Sequence, residues 1–221
     1  MQRPLSSYID HTLLRPEARP DEVRTVIAEA AEHGFASVCI PPTYVALAAR
    51  LLAGTAVHAG TVVGFPLGYV HPAVRLAESR QAIADGAQEL DTVLNISWLK
   101  GGEDGLVADD LAAWVAGARA ERGGLVLKVI LETALLSEEE KIRGVSLIAA
   151  AGADFVKTST GLSKGGATLE DVALLARAAA GRLRVKASGG IRDAATARAM
   201  IAAGAARLGT SSGVAIVRES A

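Results

Sequence analysis

The chain has 221 residues, half of them hydrophobic and 21% charged, with a formal net charge of −1. That composition suits one globular domain and excludes a disordered chain, while the near-zero charge gives no overall pull toward nucleic acid or an anionic membrane. Aromatic residues make up only 4%, so the core must be aliphatic, and Cys39, the only cysteine, excludes an internal disulfide or a thiolate metal cluster.

The N-terminal MQRPLSSYIDHTLL lacks the apolar segment of a signal peptide. A first strand is expected near 8–12, followed by a helix over 21–33 that ends in EAAEHG. The second unit pairs a strand at 36–40 with a helix at 43–53. Residues 51–74 carry no Asp, Glu, Lys or Arg, a run longer than the roughly 20 residues that cross a bilayer. Four glycines, two prolines and two histidines punctuate it, so a strand at 59–64 with flanking loops is expected and a membrane span is not. Pro72 suits the first turn of a helix over 73–85. A strand at 89–94 precedes a helix at 105–122, and one at 126–131 precedes a helix at 138–151, whose start Ser137 and Glu140 mark as a capping box. The last three strands fall at 153–158, 183–187 and 206–210. Their helices fall at 168–180, at 194–203 after Asp193, and in a short piece from 212.

One motif recurs: an Ala-rich helix, a glycine, then a short β-prone run, as in LIAAAG–ADFVKTS and AMIAAG–AARLGTSS. Glycine closes a helix without a side-chain clash, and apolar runs of four to seven residues suit buried parallel strands. Eight such units with no linker predict an α/β fold, a TIM (β/α)8 barrel forming a single domain over 1–221. An open doubly wound sheet is the alternative. In a barrel, chemistry belongs at the C-terminal ends of the strands.

Only six of the 23 basic residues are lysines, and half of those interrupt apolar runs: Lys128 in VLKVIL, Lys157 in DFVKTS and Lys186 in RVKAS. A buried ammonium loses its hydration, so a lysine in a strand needs a partner or a task. Lys157 and Lys186 lie on the sixth and seventh strands and are expected to be neighbours, each depressing the other's pKa. An ordinary lysine is only about 0.04% neutral at pH 7, and a pKa near 7 raises the reactive amine about a thousandfold. The lysine with the lower pKa attacks a carbonyl, its partner stays protonated, and Asp91 shares the proton traffic. The plain alternative is that such lysines pair with strand acids such as Glu89, Asp91 or Glu132 and merely tie the barrel together.

Lys186 runs into ASGGIRD, where Gly189 and Gly190 precede a capped helix, and the last strand runs into GTSSGV with Ser211 and Ser212. Small residues after strands seven and eight leave backbone N–H groups open to a phosphate. TSTGLSKGG could close the same pocket through Gly161. Cys39 reads as a small buried hydrophobe, Trp98 and Trp114 as packing, and the four histidines show no zinc spacing.

YIDHTLL, SVCIPP, VVGFPLG, ELDTVLN, LKVILET, ADFVKTSTG, VKASGGIR and LGTSS stand in this order along nearly the whole chain. In them the sequence resembles the deoxyribose-phosphate aldolase family of class I, Schiff-base-forming aldolases; ADFVKTSTG and VKASGGIR are the specific motifs. The resemblance implies a lyase that reversibly cleaves 2-deoxy-D-ribose 5-phosphate to D-glyceraldehyde 3-phosphate and acetaldehyde. It implies Lys157 as the Schiff-base nucleophile, Lys186 as the tuning lysine, Asp91 as proton donor and acceptor through water, and Asp10 and Lys128 as supporting pocket residues. Gly161, Gly189, Gly190, Ser211 and Ser212 match the phosphate-contacting loops. Small-molecule partners, no nucleic acid or membrane, no metal or other cofactor, a homodimer or homotetramer and a cytoplasmic location complete the expectation. Some family members carry a C-terminal tyrosine that reaches the site, whereas this sequence ends in VRESA; water or another group would take that proton step here. A Schiff-base aldolase for a different phosphorylated sugar and a non-catalytic phosphosugar-binding barrel are the competing readings.

Overall fold

The computed structural model describes residues 3–220. Eight parallel strands run in sequence order around a closed barrel: β1 (Ile9–Thr12), β2 (Ser37–Ile40), β3 (His58–Val63), β4 (Glu89–Val93), β5 (Val126–Ile130), β6 (Phe155–Lys157), β7 (Arg184–Ser188) and β8 (Ala205–Thr210). Closure is direct, because β1 pairs with β8 through Asp10 and Gly209. That pairing removes the open doubly wound sheet.

The surrounding helices are α1 (Pro20–His33), α2 (Val45–Leu51), α3 (Pro72–Ala84), α4 (Ile96–Gly101), α5 (Asp104–Glu121), α6 (Glu138–Ala151), α7 (Leu169–Ala179), α8 (Ala194–Ala202) and α9 (Gly213–Arg218). The capping box is present: the Glu140 amide donates to Ser137 Oγ at 3.2 Å, and the Ser137 amide donates to Glu140 Oε2 at 2.8 Å. α6 ends at Gly152 with φ 80°, a left-handed conformation that glycine adopts without strain.

Helix α4 was not expected. Its six residues are too few to show a 3.6-residue period, and the one local signal is Asn95, whose side chain accepts from the Trp98 amide at 3.2 Å. The charge-free run 51–74 leaves α2, forms β3 and enters α3. Among the described residues no helix is long and apolar enough to cross a membrane.

The alternation along the strands creates two different layers. Leu127, Val129, Val156, Val185 and Ala187 belong to a large apolar cluster with helix residues such as Leu111, Val115, Val145, Ile148 and Leu175. The residues between them, Lys128, Lys157 and Lys186, are turned the other way by the two-residue period of a strand. They are buried all the same. An aliphatic shell therefore holds the helices to the barrel, and an ionic layer fills part of its interior.

Candidate active site

Six buried side chains from five strands meet inside the barrel: Asp10, Glu89, Asp91, Lys128, Lys157 and Lys186. The strand register brings them together, since Lys157 stands opposite Lys186 and Asp91 opposite Lys128 across neighbouring strands. Asp91 is the hub. Its Oδ2 accepts from Lys157 Nζ at 2.9 Å and from Lys186 Nζ at 2.8 Å, while its Oδ1 accepts from Lys128 Nζ at 2.8 Å.

The other carboxylates are shared less evenly. Lys186 Nζ also lies 2.6 Å from Asp10 Oδ2, and Lys128 Nζ lies 2.6 Å from Glu89 Oε2. Arg207 of β8 ion-pairs with Asp10 and donates from Nη2 to Glu89 Oε1 at 2.9 Å. Among the described residues Lys157 has Asp91 alone, through an oxygen that Lys186 also occupies.

These contacts separate the lysines. Burial pushes the Lys157 amine toward its neutral form; Asp91 opposes this and Lys186 adds to it, and the pKa falls below the ordinary lysine value. Burial acts the same way on Lys186, but Asp10 and Asp91 outweigh it and its pKa rises. Lys128 rises too, against burial, under Asp91, Glu89 and Asp10. The expectation that Lys157 and Lys186 depress each other is thus corrected: Lys157 is depressed and Lys186 is raised, because Lys186 has Asp10 beside it as well as Asp91. Burial works against ionising Asp91, yet Lys128, Lys157 and Lys186 hold its carboxyl well below the usual range. Burial, then Asp91, pushes the Cys39 thiol up, as befits a buried apolar side chain.

A cavity of about 320 Å³ opens above this cluster. Lys157 reaches it, whereas Asp91, Asp10, Lys128 and Lys186 lie beneath. Gly161, Gly189, Gly190 and Ser211 form other parts of its wall, at the C-terminal rim. Ser212 stands one residue further on, at the start of α9, with its amide donating to Thr210 Oγ1 at 2.9 Å. The glycines allow two loops to touch backbone to backbone: a Cβ on Gly166 would sit 2.5 Å from the Gly189 carbonyl oxygen. Gly209 does similar work inside, where a Cβ would lie 3.1 Å from Lys186 Cε.

Three contributors were missed from sequence. Arg15 and Arg192 line the cavity, Arg15 with its guanidinium paired to Glu17 and Glu22; Arg192 closes the VKASGGIR motif and could have been read there. Arg207 lies on a strand otherwise read only for its following loop. Glu132, weighed as a lysine partner, instead adopts a left-handed backbone (φ 55°) and accepts from the Thr160 amide and hydroxyl at 3.2 and 2.5 Å. It braces the turn after β6, since Thr160 Oγ1 in turn accepts from the Leu162 amide at 3.1 Å.

A profile describing DeoC/LacD family aldolases matches residues 5–220. The chain belongs to this family. It is 52% identical over 213 residues to a deoxyribose-phosphate aldolase of Brevibacillus brevis, covering 96% of this chain and 95% of that one. A solved structure described as QR15, an aldolase, superposes with a TM-score of 0.90 at 43% identity, covering 97% of this chain and 95% of that one. A deoxyribose phosphate aldolase from Aeropyrum pernix, described as having a unique tetrameric structure, gives 0.90 at 37% identity, covering 97% and 89%. The protein is therefore an aldolase, an enzyme of the lyase class.

Proposed function

We propose that this aldolase reversibly cleaves 2-deoxy-D-ribose 5-phosphate to D-glyceraldehyde 3-phosphate and acetaldehyde through a Schiff base on Lys157. One observation carries the reading: of the three buried lysines, Lys157 is the one that reaches the cavity and the one driven toward the free amine. The near-full-length similarity to deoxyribose-phosphate aldolases supports the choice of substrate.

The neutral Lys157 amine adds to the C1 aldehyde of the open-chain sugar, and loss of water leaves a protonated imine. Asp91, within 2.9 Å of Lys157 Nζ, takes and returns protons through water. Deprotonating the C3 hydroxyl breaks the C2–C3 bond, and the electron pair flows into the iminium, giving an enamine and releasing D-glyceraldehyde 3-phosphate. Protonation at carbon and addition of water then release acetaldehyde and restore the amine. The iminium is the electron sink, so the chemistry calls for no metal or other cofactor. Asp10 and Lys128 hold Asp91 and Lys186 in place.

The phosphate sits against the cavity wall at Gly161, Gly189, Gly190 and Ser211, with Ser212 next to it at the start of α9, and Arg192 adds positive charge. A homodimer or homotetramer, acting in the cytoplasm as one domain, completes the reading; the tetramer described for the Aeropyrum relative supports the first of these.

Borohydride reduction in the presence of acetaldehyde, followed by peptide mapping, tests the proposal. The expected product is an ethyl adduct on Lys157. An adduct on another lysine refutes the residue assignment, and sugar-phosphate binding with no adduct indicates a binding protein. A panel of sugar phosphates should show deoxyribose 5-phosphate as the dominant substrate; a different preferred sugar would reassign the specificity.

A further inference from the structure

The ionisable groups inside the barrel do not cancel. Three carboxylates, Asp10 of β1 and Glu89 and Asp91 of β4, face four basic side chains: Lys128 of β5, Lys157 of β6, Lys186 of β7 and Arg207 of β8. Two further titratable groups adjoin them. Cys39 of β2 is buried, and His58 of β3 is 38% exposed with Nδ1 2.9 Å from Glu89 Oε1. With the three carboxylates ionised and the three lysines and Arg207 protonated, these seven groups carry one surplus positive charge. With Lys157 neutral, they carry none.

An unmatched charge is costly in a water-poor interior, so the layer favours losing one proton. The contacts decide which group loses it. Arg207 holds Asp10 and Glu89, Lys186 holds Asp10 and Asp91, and Lys128 holds Glu89 and Asp91. Lys157 holds only an oxygen already engaged by Lys186. A guanidinium does not deprotonate in proteins, so Arg207 cannot relieve the surplus itself.

We infer that Arg207 is a positioning residue for the aldol reaction: by occupying Asp10 and Glu89 it leaves the barrel interior one cation in excess and Lys157 the group that must be neutral. Arg207 stands outside the cavity walls. It acts through a relay of ion pairs, Arg207 to Asp10 to Lys186 to Asp91 to Lys157. Without Arg207 the same three carboxylates would face three lysines, and the protonated form of Lys157 would complete the balance. The inference rests on Lys157 being the nucleophile.

Removing one charge of each sign, singly and together, supplies the test. The acid limb of kcat/KM and the pH dependence of borohydride trapping with acetaldehyde both report how readily Lys157 loses its proton in the free enzyme. Arg207→Met should move both to higher pH by about one unit or more, and Glu89→Gln should move both to lower pH. The double variant Arg207→Met/Glu89→Gln removes one charge of each sign and should return the limb to within about half a unit of the parent. Arg207→Lys should keep the parental profile.

A merely structural role would lower adduct yield and thermal stability in every variant without opposite shifts or their cancellation. An unmoved limb in either single variant, or a double variant that fails to cancel, overturns the inference. Should Arg207→Met not fold, Glu89→Gln decides alone, by a shift to lower pH or its absence. Absence of any Lys157 adduct in the parent enzyme at any pH would instead refute the nucleophile assignment, a distinct outcome.

Discussion

Two regions that bury ion pairs in this molecule put them to different uses. Between α3 and α5, outside the barrel, the fully buried Arg75 donates to Asp110 Oδ2 at 2.5 Å, to the Gly68 carbonyl at 2.9 Å and to the Val93 carbonyl at 3.2 Å. One cation meets one carboxylate, and two main-chain carbonyls take up further guanidinium donors. The pair ties the β3–α3 connection to the end of β4. Inside the barrel, four cations meet three carboxylates, and one lysine is left sharing. Matched burial fixes geometry, whereas mismatched burial selects a protonation state. Burial of charge alone does not mark a catalytic site.

The largest effect is expected where the surplus meets the cavity. Lys157→Ala should reduce turnover at least about 10⁴-fold, because it removes the only amine of the cluster that reaches the cavity. Turnover near the parental value, measured under saturating substrate, would assign the chemistry elsewhere. Circular dichroism should show the barrel intact.

Arg75→Met should do the reverse. It leaves Asp110 buried without a partner, and breaking a buried pair from one side costs about 3–5 kcal/mol. Denaturant melts should show that loss while the acid limb of the activity profile stays in place. Adding Asp110→Leu should recover most of the stability. A displaced acid limb in Arg75→Met would mean that the two regions are electrostatically continuous, and the contrast between them would fail.

Lys186→Met should have an intermediate effect with a defined sign. Removing this cation frees Asp10 and Asp91 to stabilise the Lys157 ammonium, so a higher pH is needed to expose the amine. The acid limb should move to the alkaline side by about one unit or more, together with slower proton transfer. A limb that moved to lower pH would contradict the pairing scheme.

Ser211→Asp should be the mildest. A carboxylate at the cavity wall repels the phosphate and should raise KM about tenfold, roughly 1.4 kcal/mol, with melting temperature unchanged. KM unchanged for the phosphorylated substrate would move the anion site away from this loop.

Much of this architecture is written locally. Helix-ending glycines at Gly34 and Gly152, the Ser137–Glu140 box and the Asp193 cap each act over a few residues, so eight strand–helix units are legible from sequence. Lys128, Lys157 and Lys186 stand out because a lysine among Val, Leu and Ile violates the strand pattern. Arg207 does not stand out, since ARLGTSS ends in a small-residue turn that draws attention to the loop. Helix α4 was hidden by its length, and the Glu132–Thr160 contact by a separation of 28 residues across two strands.

From sequence alone came the barrel, the three strand lysines and the glycine-rich rim, because periodicity, caps and small-residue turns are short-range. The folded structure alone decided that Lys157, and not Lys186 or Lys128, is short of a carboxylate. That shortage depends on ion pairs such as Lys186–Asp91 and Arg207–Asp10, whose partners lie 95 and 197 residues apart and meet only when the barrel closes.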